Sequence, residues 1–138
     1  MKRIILFSQA TESNRETILN LIFTNEIENK ILAYMPSDGA NCPQKYQDEW
    51  IGYSRKYGAE FRYIDNSIEN SSGEADKLLG ANILIITGGN TFILLNNLRK
   101  SGLDKAVKEF AQKNEFVIAG FSAGAIVLTP TIEICNLG

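Results

Sequence analysis

Ser122 stands in the frame Gly120-Phe121-Ser122-Ala123-Gly124, directly behind the apolar run Phe116-Val117-Ile118-Ala119. A Gly-x-Ser-x-Gly frame leaving a buried strand is the pattern of a nucleophile elbow, in which small flanking residues let the backbone turn sharply and lift the serine oxygen into a cleft. The chemistry this suggests is acyl transfer. A serine hydroxyl depends on an adjacent base, and the sequence contains no histidine. A second constellation, Thr87-Gly88-Gly89-Asn90-Thr91, follows another apolar run and opens a helical pattern. Glycines there turn backbone N–H groups toward a ligand, and the start of a helix favours developing negative charge. Alone, paired glycines before a helix are more often a tight turn. Together the two motifs say more, because neighbouring strand ends of one parallel sheet would bring the N–H groups of Gly89 and Ala123 toward one point above Ser122. That is the geometry of an oxyanion hole, with Gly88 and Asn90 on the substrate-binding side.

The elements that must position these residues alternate along the chain. Arg3–Ser8, Ile31–Met35, Glu60–Ile64, Asn82–Thr87 and Glu115–Ala119 are short β-branched or aromatic-rich runs, as expected for strands buried on both faces. Glu12–Glu28, with Ile18, Leu21, Ile22 and Ile27, and Gln44–Tyr57, with Tyr46, Trp50, Ile51 and Tyr53, carry apolar residues near helical spacing. After the fourth strand, Thr91–Lys100 carries Phe92, Leu94, Leu95 and Leu98 and ends at Gly102, and Asp104–Lys113 carries Val107 and Phe110. The polar stretch Asp65–Glu74 is expected as a loop before a short helix. This β-α-β-α order predicts a single α/β domain over residues 1–138, a three-layer α/β/α arrangement with a mostly parallel sheet. Its ligands belong beyond the carboxyl ends of the strands, where Gly39, Gly88, Gly89 and Ser122 all fall.

Composition narrows the partners. The chain has 138 residues, 44% of them hydrophobic, with 14 basic and 16 acidic side chains and a net charge of -2. No block of like charge marks a nucleic-acid surface, and no apolar run reaches membrane-spanning length. The stretch Ile4-Ile5-Leu6-Phe7 is too short for a signal-peptide core, so a cytoplasmic location is expected. Cys42 and Cys135 lack CxxC spacing and any histidine to share a metal with. They are expected as unpaired thiols, with neither a metal nor a cofactor. The expected partner is a small peptide or a small acidic ligand, not nucleic acid or a membrane.

Gly88-Gly89-Asn90-Thr91-Phe92, Leu94-Leu95, Gly102-Leu103, Gly120-Phe121-Ser122-Ala123-Gly124-Ala125 and Thr129-Pro130-Thr131-Ile132 together resemble the dipeptidase E family of aspartyl dipeptidases, which is related to cyanophycinase. The match is dense from Asn82 to Ile132 and looser before it. The resemblance implies a fold akin to class I glutamine amidotransferases (flavodoxin-like), with Ser122 as nucleophile, Gly89 and Ala123 as oxyanion donors, and peptides with an N-terminal aspartate as substrates. It also implies departures. The family's triad acid would fall at position 137, which is Leu137. Its histidine and the basic residues that recognise the substrate aspartate lie further on. The chain therefore resembles the N-terminal two-thirds of the family fold, truncated relative to it. Glu133 is the one carboxylate after the elbow, and the alternation from Thr131 to Cys135 puts it on the solvent face of a strand. Asp38 and Asp65 are expected as turn or cap residues.

Three functions compete. One is a serine-type peptidase of that family, inactive or severely impaired over these residues because two triad roles are empty. Another is a non-catalytic member whose cleft binds an acidic or carbonyl-bearing molecule. The third is a phosphate-binding or interaction domain, discounted because Ser8-Gln9-Ala10-Thr11 after the first strand has no glycine. A strand edge around Thr131 to Cys135 would also favour a homodimer.

Overall fold

The computed structural model describes residues 1–8, 11–69, 72–125 and 128. Its five strands are β1 (Lys2–Phe7), β2 (Ile31–Met35), β3 (Glu60–Tyr63), β4 (Ile83–Ile86) and β5 (Phe116–Phe121). Its helices are α1 (Arg15–Ile22), α2 (Gln44–Lys56), α3 (Ser72–Leu79), α4 (Thr91–Ser101) and α5 (Leu103–Phe110), with a 3-10 turn over Gly39–Asn41. All strand pairs are parallel, in the order β1-β5-β4-β2-β3. The fold is thus α/β, with a parallel sheet between helical layers.

Burial explains the layers. Ile83, Leu84, Ile85 and Ile86 of β4 are all fully buried, as are Val117, Ile118 and Ala119 of β5, because helices cover both faces of the central strands. On one face Leu32, Tyr34, Ile83, Ile85, Val117 and Ala119 pack with Ile18, Leu19 and Ile22 of α1 and Trp50 of α2. On the other, Ala33, Met35, Leu84, Ile86 and Ile118 pack with α3, α4 and α5 through Leu78, Leu94, Leu98, Val107 and Phe110. Among the described residues no helix is long and apolar enough to cross a membrane.

Several expectations shift. The first strand is not buried on both faces: β1 has β5 as its one partner among the described strands, and Ile4 and Leu6 stand 41% and 45% exposed while Ile5 and Phe7 turn inward. The first helix is shorter than Glu12–Glu28. It stops at Ile22, and the chain then turns through Thr24 so that Ile27 returns to the core. Leu19 rather than Leu21 completes its buried stripe, Leu21 being exposed. The helix α3 begins at Ser72, so the polar stretch ends as helix rather than loop. Phe92, expected on the inner stripe of α4, is 84% exposed. The edge around Thr131 to Cys135, with Glu133, Cys135 and Leu137, lies outside the described residues.

The chain leaves β2 for α2 on one face and leaves β4 for α4 on the other, although β2 and β4 are neighbours. Adjacent strands whose connections depart to opposite faces leave a crevice at their carboxyl ends, the place where open α/β sheets bind ligands. The loops that meet there are Pro36–Cys42 and Thr87–Asn90.

Candidate active site

Ser122 directly follows β5, and the residues behind it, Ala123 to Ala125, are helical. Its φ is +53°, an uncommon conformation for a non-glycine residue, and its N–H donates to the Phe7 carbonyl at 2.9 Å, which extends the β1–β5 ladder by one rung. The strain sits on the serine itself. The flanking glycines serve a different purpose from the sharp turn expected of them. A Cβ on Gly120 would lie 2.8 Å from the Ala125 nitrogen, and one on Gly124 would run into the Ile86 carbonyl. Both are glycine because the segment behind Ser122 lies directly on β4 and β5.

The Thr87–Asn90 turn abuts the serine. A Cβ built on Gly88 would lie 3.0 Å from the Ser122 Cβ and 3.6 Å from its Oγ. Gly89 has a φ of +140°, which suits glycine alone, and a Cβ there would strike the Ser37 hydroxyl. Ser37, buried at the end of β2, donates its Oγ to the Gly88 carbonyl at 2.8 Å. Asn66, also buried, donates to the Pro36 carbonyl at 3.0 Å and accepts from the Asn97 amide. The turn is thereby tied to β2, to the segment after β3 and to α4. Asn90 caps α4: its Oδ1 accepts from the N–H groups of Phe92 at 2.9 Å and Ile93 at 3.1 Å. That oxygen is committed to the helix, though the residue still lines the cleft. Asp65 is a turn residue as expected, accepting from the backbone and hydroxyl of Ser67.

Ser122, Gly88, Gly89 and Asn90 open onto one cleft of about 560 Å³, a size suited to a small ligand. Ala123 is buried immediately behind the serine. The remaining walls were not legible as a site. They include Arg15, Ile18 and Leu19 from α1, Ser37, Asp38 and Cys42 after β2, and Tyr46, Glu49, Trp50 and Tyr53 from α2. Tyr46, Trp50 and Tyr53 show in the sequence only as an apolar helix stripe, and periodicity does not separate a core stripe from a cleft wall. Cys42 is a free thiol whose sulfur accepts from the Asp38 N–H at 3.3 Å.

Two cleft tyrosines are poor acids. Burial pushes Tyr34 up to about 12, partly offset by a hydrogen bond with Thr87. Burial also pushes Tyr53 up to about 12, helped by its hydrogen bond to Glu49. Tyr63 beside them is raised to about 12 by burial and the nearby Asp65. Each group's folded value lies above its ordinary 10.0, so between those limits the folded state holds protons that the unfolded chain releases. The stability involved is complete below about pH 10 and is lost as pH rises toward about 12. Urea midpoints measured across that window are therefore expected to fall steeply, with the tyrosinate absorbance of Tyr34, Tyr53 and Tyr63 rising only as unfolding proceeds. Full tyrosinate absorbance in a still-folded chain would contradict this.

Comparison with known proteins converges on one family. The model for "Peptidase family S51" matches residues 4–138. An uncharacterized peptidase of Pasteurella multocida (strain Pm70) is 30% identical over 83% of this chain and 56% of its own length. The Peptidase E of the same strain is 28% identical over 99% of this chain and 58% of its own. A crystal structure of a Peptidase E candidate from Listeria monocytogenes EGD-e superimposes with a TM-score of 0.72 at 26% identity, covering 92% of this chain and 61% of that one. The chain thus spans little more than half the length of these relatives.

Proposed function

Because this chain belongs to peptidase family S51, we propose that its cleft receives a short peptide with a carbonyl carbon at the Ser122 hydroxyl. The observation that carries this is Ser122 itself, held at φ +53° on the end of β5 with the Gly88 turn against it. In the reaction so laid out, the Ser122 Oγ bonds to the carbonyl carbon and gives up its proton to a base. The carbonyl oxygen becomes an oxyanion facing the N–H groups of Gly89 and Ala123. The C–N bond then breaks as the amine takes a proton, and water releases the acyl group. Peptides with an N-terminal aspartate are the substrates that the likeness to Peptidase E suggests.

What these residues do not supply is the imidazole base, since no histidine occurs among the 138. Tyr34 and Tyr53 do not replace it, because their hydroxyls keep their protons far above neutrality. The nucleophile position and the oxyanion donors are therefore proposed to lie within these 138 residues, and the imidazole base is not among them. In that state the cleft binds peptide without turning it over.

A Ser122→Cys variant tests the nucleophile position without needing a base, because a thiol is partly ionised near neutral pH and intrinsically more nucleophilic. A chloromethyl ketone of an alanine dipeptide is expected to alkylate that variant at position 122 at least about tenfold faster than it modifies Cys42 or Cys135 in the parent chain. Labelling of position 122 no faster than of the native cysteines would remove Ser122 from the role.

A further inference from the structure

Ser37 fixes which way one peptide unit of the glycine turn faces. The Gly88 carbonyl accepts from the Ser37 Oγ at 2.8 Å, and Ser37 is only 2% exposed, so little water competes for that bond. The Gly88 carbonyl and the Gly89 N–H belong to one trans peptide unit, in which they point in opposite directions. With the carbonyl held on Ser37, the Gly89 N–H is aimed away from it, and among the described residues nothing accepts from that N–H. The unit begins at the Gly88 Cα, whose missing Cβ would sit against the Ser122 side chain.

This unit is also the easiest part of the turn to invert. Neither Gly88 nor Gly89 has a Cβ to oppose rotation about the bonds on either side, and inversion would put a carbonyl oxygen where the N–H had been. An oxygen there would repel an oxyanion. The residues around it are held by other means: Thr87 by the Tyr34 hydroxyl, Asn90 by its cap on α4, and the Pro36 backbone before Ser37 by Asn66. We propose that Ser37 is a positioning residue for acyl transfer at Ser122, its hydroxyl keeping the Gly88–Gly89 peptide unit in the orientation that presents the Gly89 N–H to the oxyanion. This rests on the peptidase reading above and adds to it a residue outside both motifs.

Two reactions at position 122 of the Ser122→Cys variant separate this role from a merely structural one, each followed by mass spectrometry of the labelled peptide. With p-nitrophenyl acetate the sulfur bonds to the ester carbonyl carbon, whose oxygen carries the negative charge until the C–O bond breaks and p-nitrophenolate leaves. With iodoacetamide the sulfur displaces iodide from a methylene carbon and no oxyanion forms. Adding Ser37→Ala is expected to slow acetylation at least about fivefold, part of the roughly hundredfold or more that losing an oxyanion donor costs, and to leave alkylation within about twofold. Ser37→Thr, which keeps a hydroxyl, is expected to regain most of the rate. Ser37→Val, close to threonine in volume but without the hydroxyl, should repeat the loss without the void that alanine leaves, and it carries the comparison if Ser37→Ala does not fold. Equal slowing of both reactions, or acetylation that neither substitution slows, overturns the role of Ser37 and leaves the peptidase reading in place. Failure of both Ser37→Ala and Ser37→Val to fold would make the hydroxyl a structural requirement and overturns it too. Acetylation of position 122 no faster than that of Cys42 or Cys135 in the parent chain overturns the peptidase reading, and this inference with it.

Discussion

Incubated with an aspartate-containing dipeptide, the 138-residue polypeptide is expected to release amino acids at the background rate, and Ser122→Ala to leave that rate unchanged. The size of the effect follows from the serine's dependence on its neighbours. Removing members of a serine triad costs on the order of 10⁴ to 10⁶ in turnover, and what remains comes from the oxyanion donors and binding. Here no imidazole is present, and the cleft tyrosines Tyr34 and Tyr53 hold their protons to about 12. A fluorophosphonate, which reports an activated serine, should accordingly label Ser122 slowly and incompletely. Turnover that Ser122→Ala abolishes, or rapid stoichiometric labelling, would show that another group in the cleft takes the proton.

The second large effect concerns stability and comes from Gly124. A methyl group there would be driven into the Ile86 main-chain carbonyl, which cannot rotate aside as a side chain would. Overpacking of this kind typically costs 1–3 kcal/mol and more where backbone must move, so Gly124→Ala is expected to lose about 3 kcal/mol or to fail to fold. Gly52 in α2 has nothing within 4 Å of its would-be Cβ. Gly52→Ala should therefore gain roughly 0.5–1 kcal/mol, the usual advantage of alanine over glycine within a helix. Urea denaturation of the two variants beside the parent measures both. A Gly124→Ala variant within about 1 kcal/mol of the parent would mean that the segment behind Ser122 does not lie on β4 as described.

Legibility followed burial. β4 and β5 were plain in the sequence because strands covered on both faces become unbroken apolar runs, and Ile31–Met35 matched to the residue. The α/β order, the parallel sheet and the meeting of Ser122 with the Gly88–Gly89 turn followed from the same runs and from two glycine-bearing motifs. Amphipathic detail was less legible. Leu21 and Phe92 fit a helical stripe yet face solvent, because spacing locates a face only to within one residue's rotation and the packing partner decides the rest. Ser37, Asn66 and Asn97, which hold the glycine turn, carry no motif: their value comes from three separate segments meeting, and no local pattern encodes such a meeting.

The pairing of β1 with β5 also bears on the order in which the molecule is built. Lys2 lies beside Phe116 and Phe7 beside Phe121, so β1, the earliest of the described strands, has no described neighbour in the sheet until the last described strand has been synthesised. The pairs β2–β3 and β2–β4 join segments much closer in sequence and can form while the chain is still growing. Until β5 emerges, Ile4 to Phe7 wait as an unpaired apolar run, the kind of segment that chaperones bind and that misassociates when crowded. The Ser122 N–H rests on the Phe7 carbonyl, so the serine turn gains its anchor only with this closing event. Synthesis of the site is thus a late step: a nascent chain with a complete β2–β3–β4 half still has no seat for its serine.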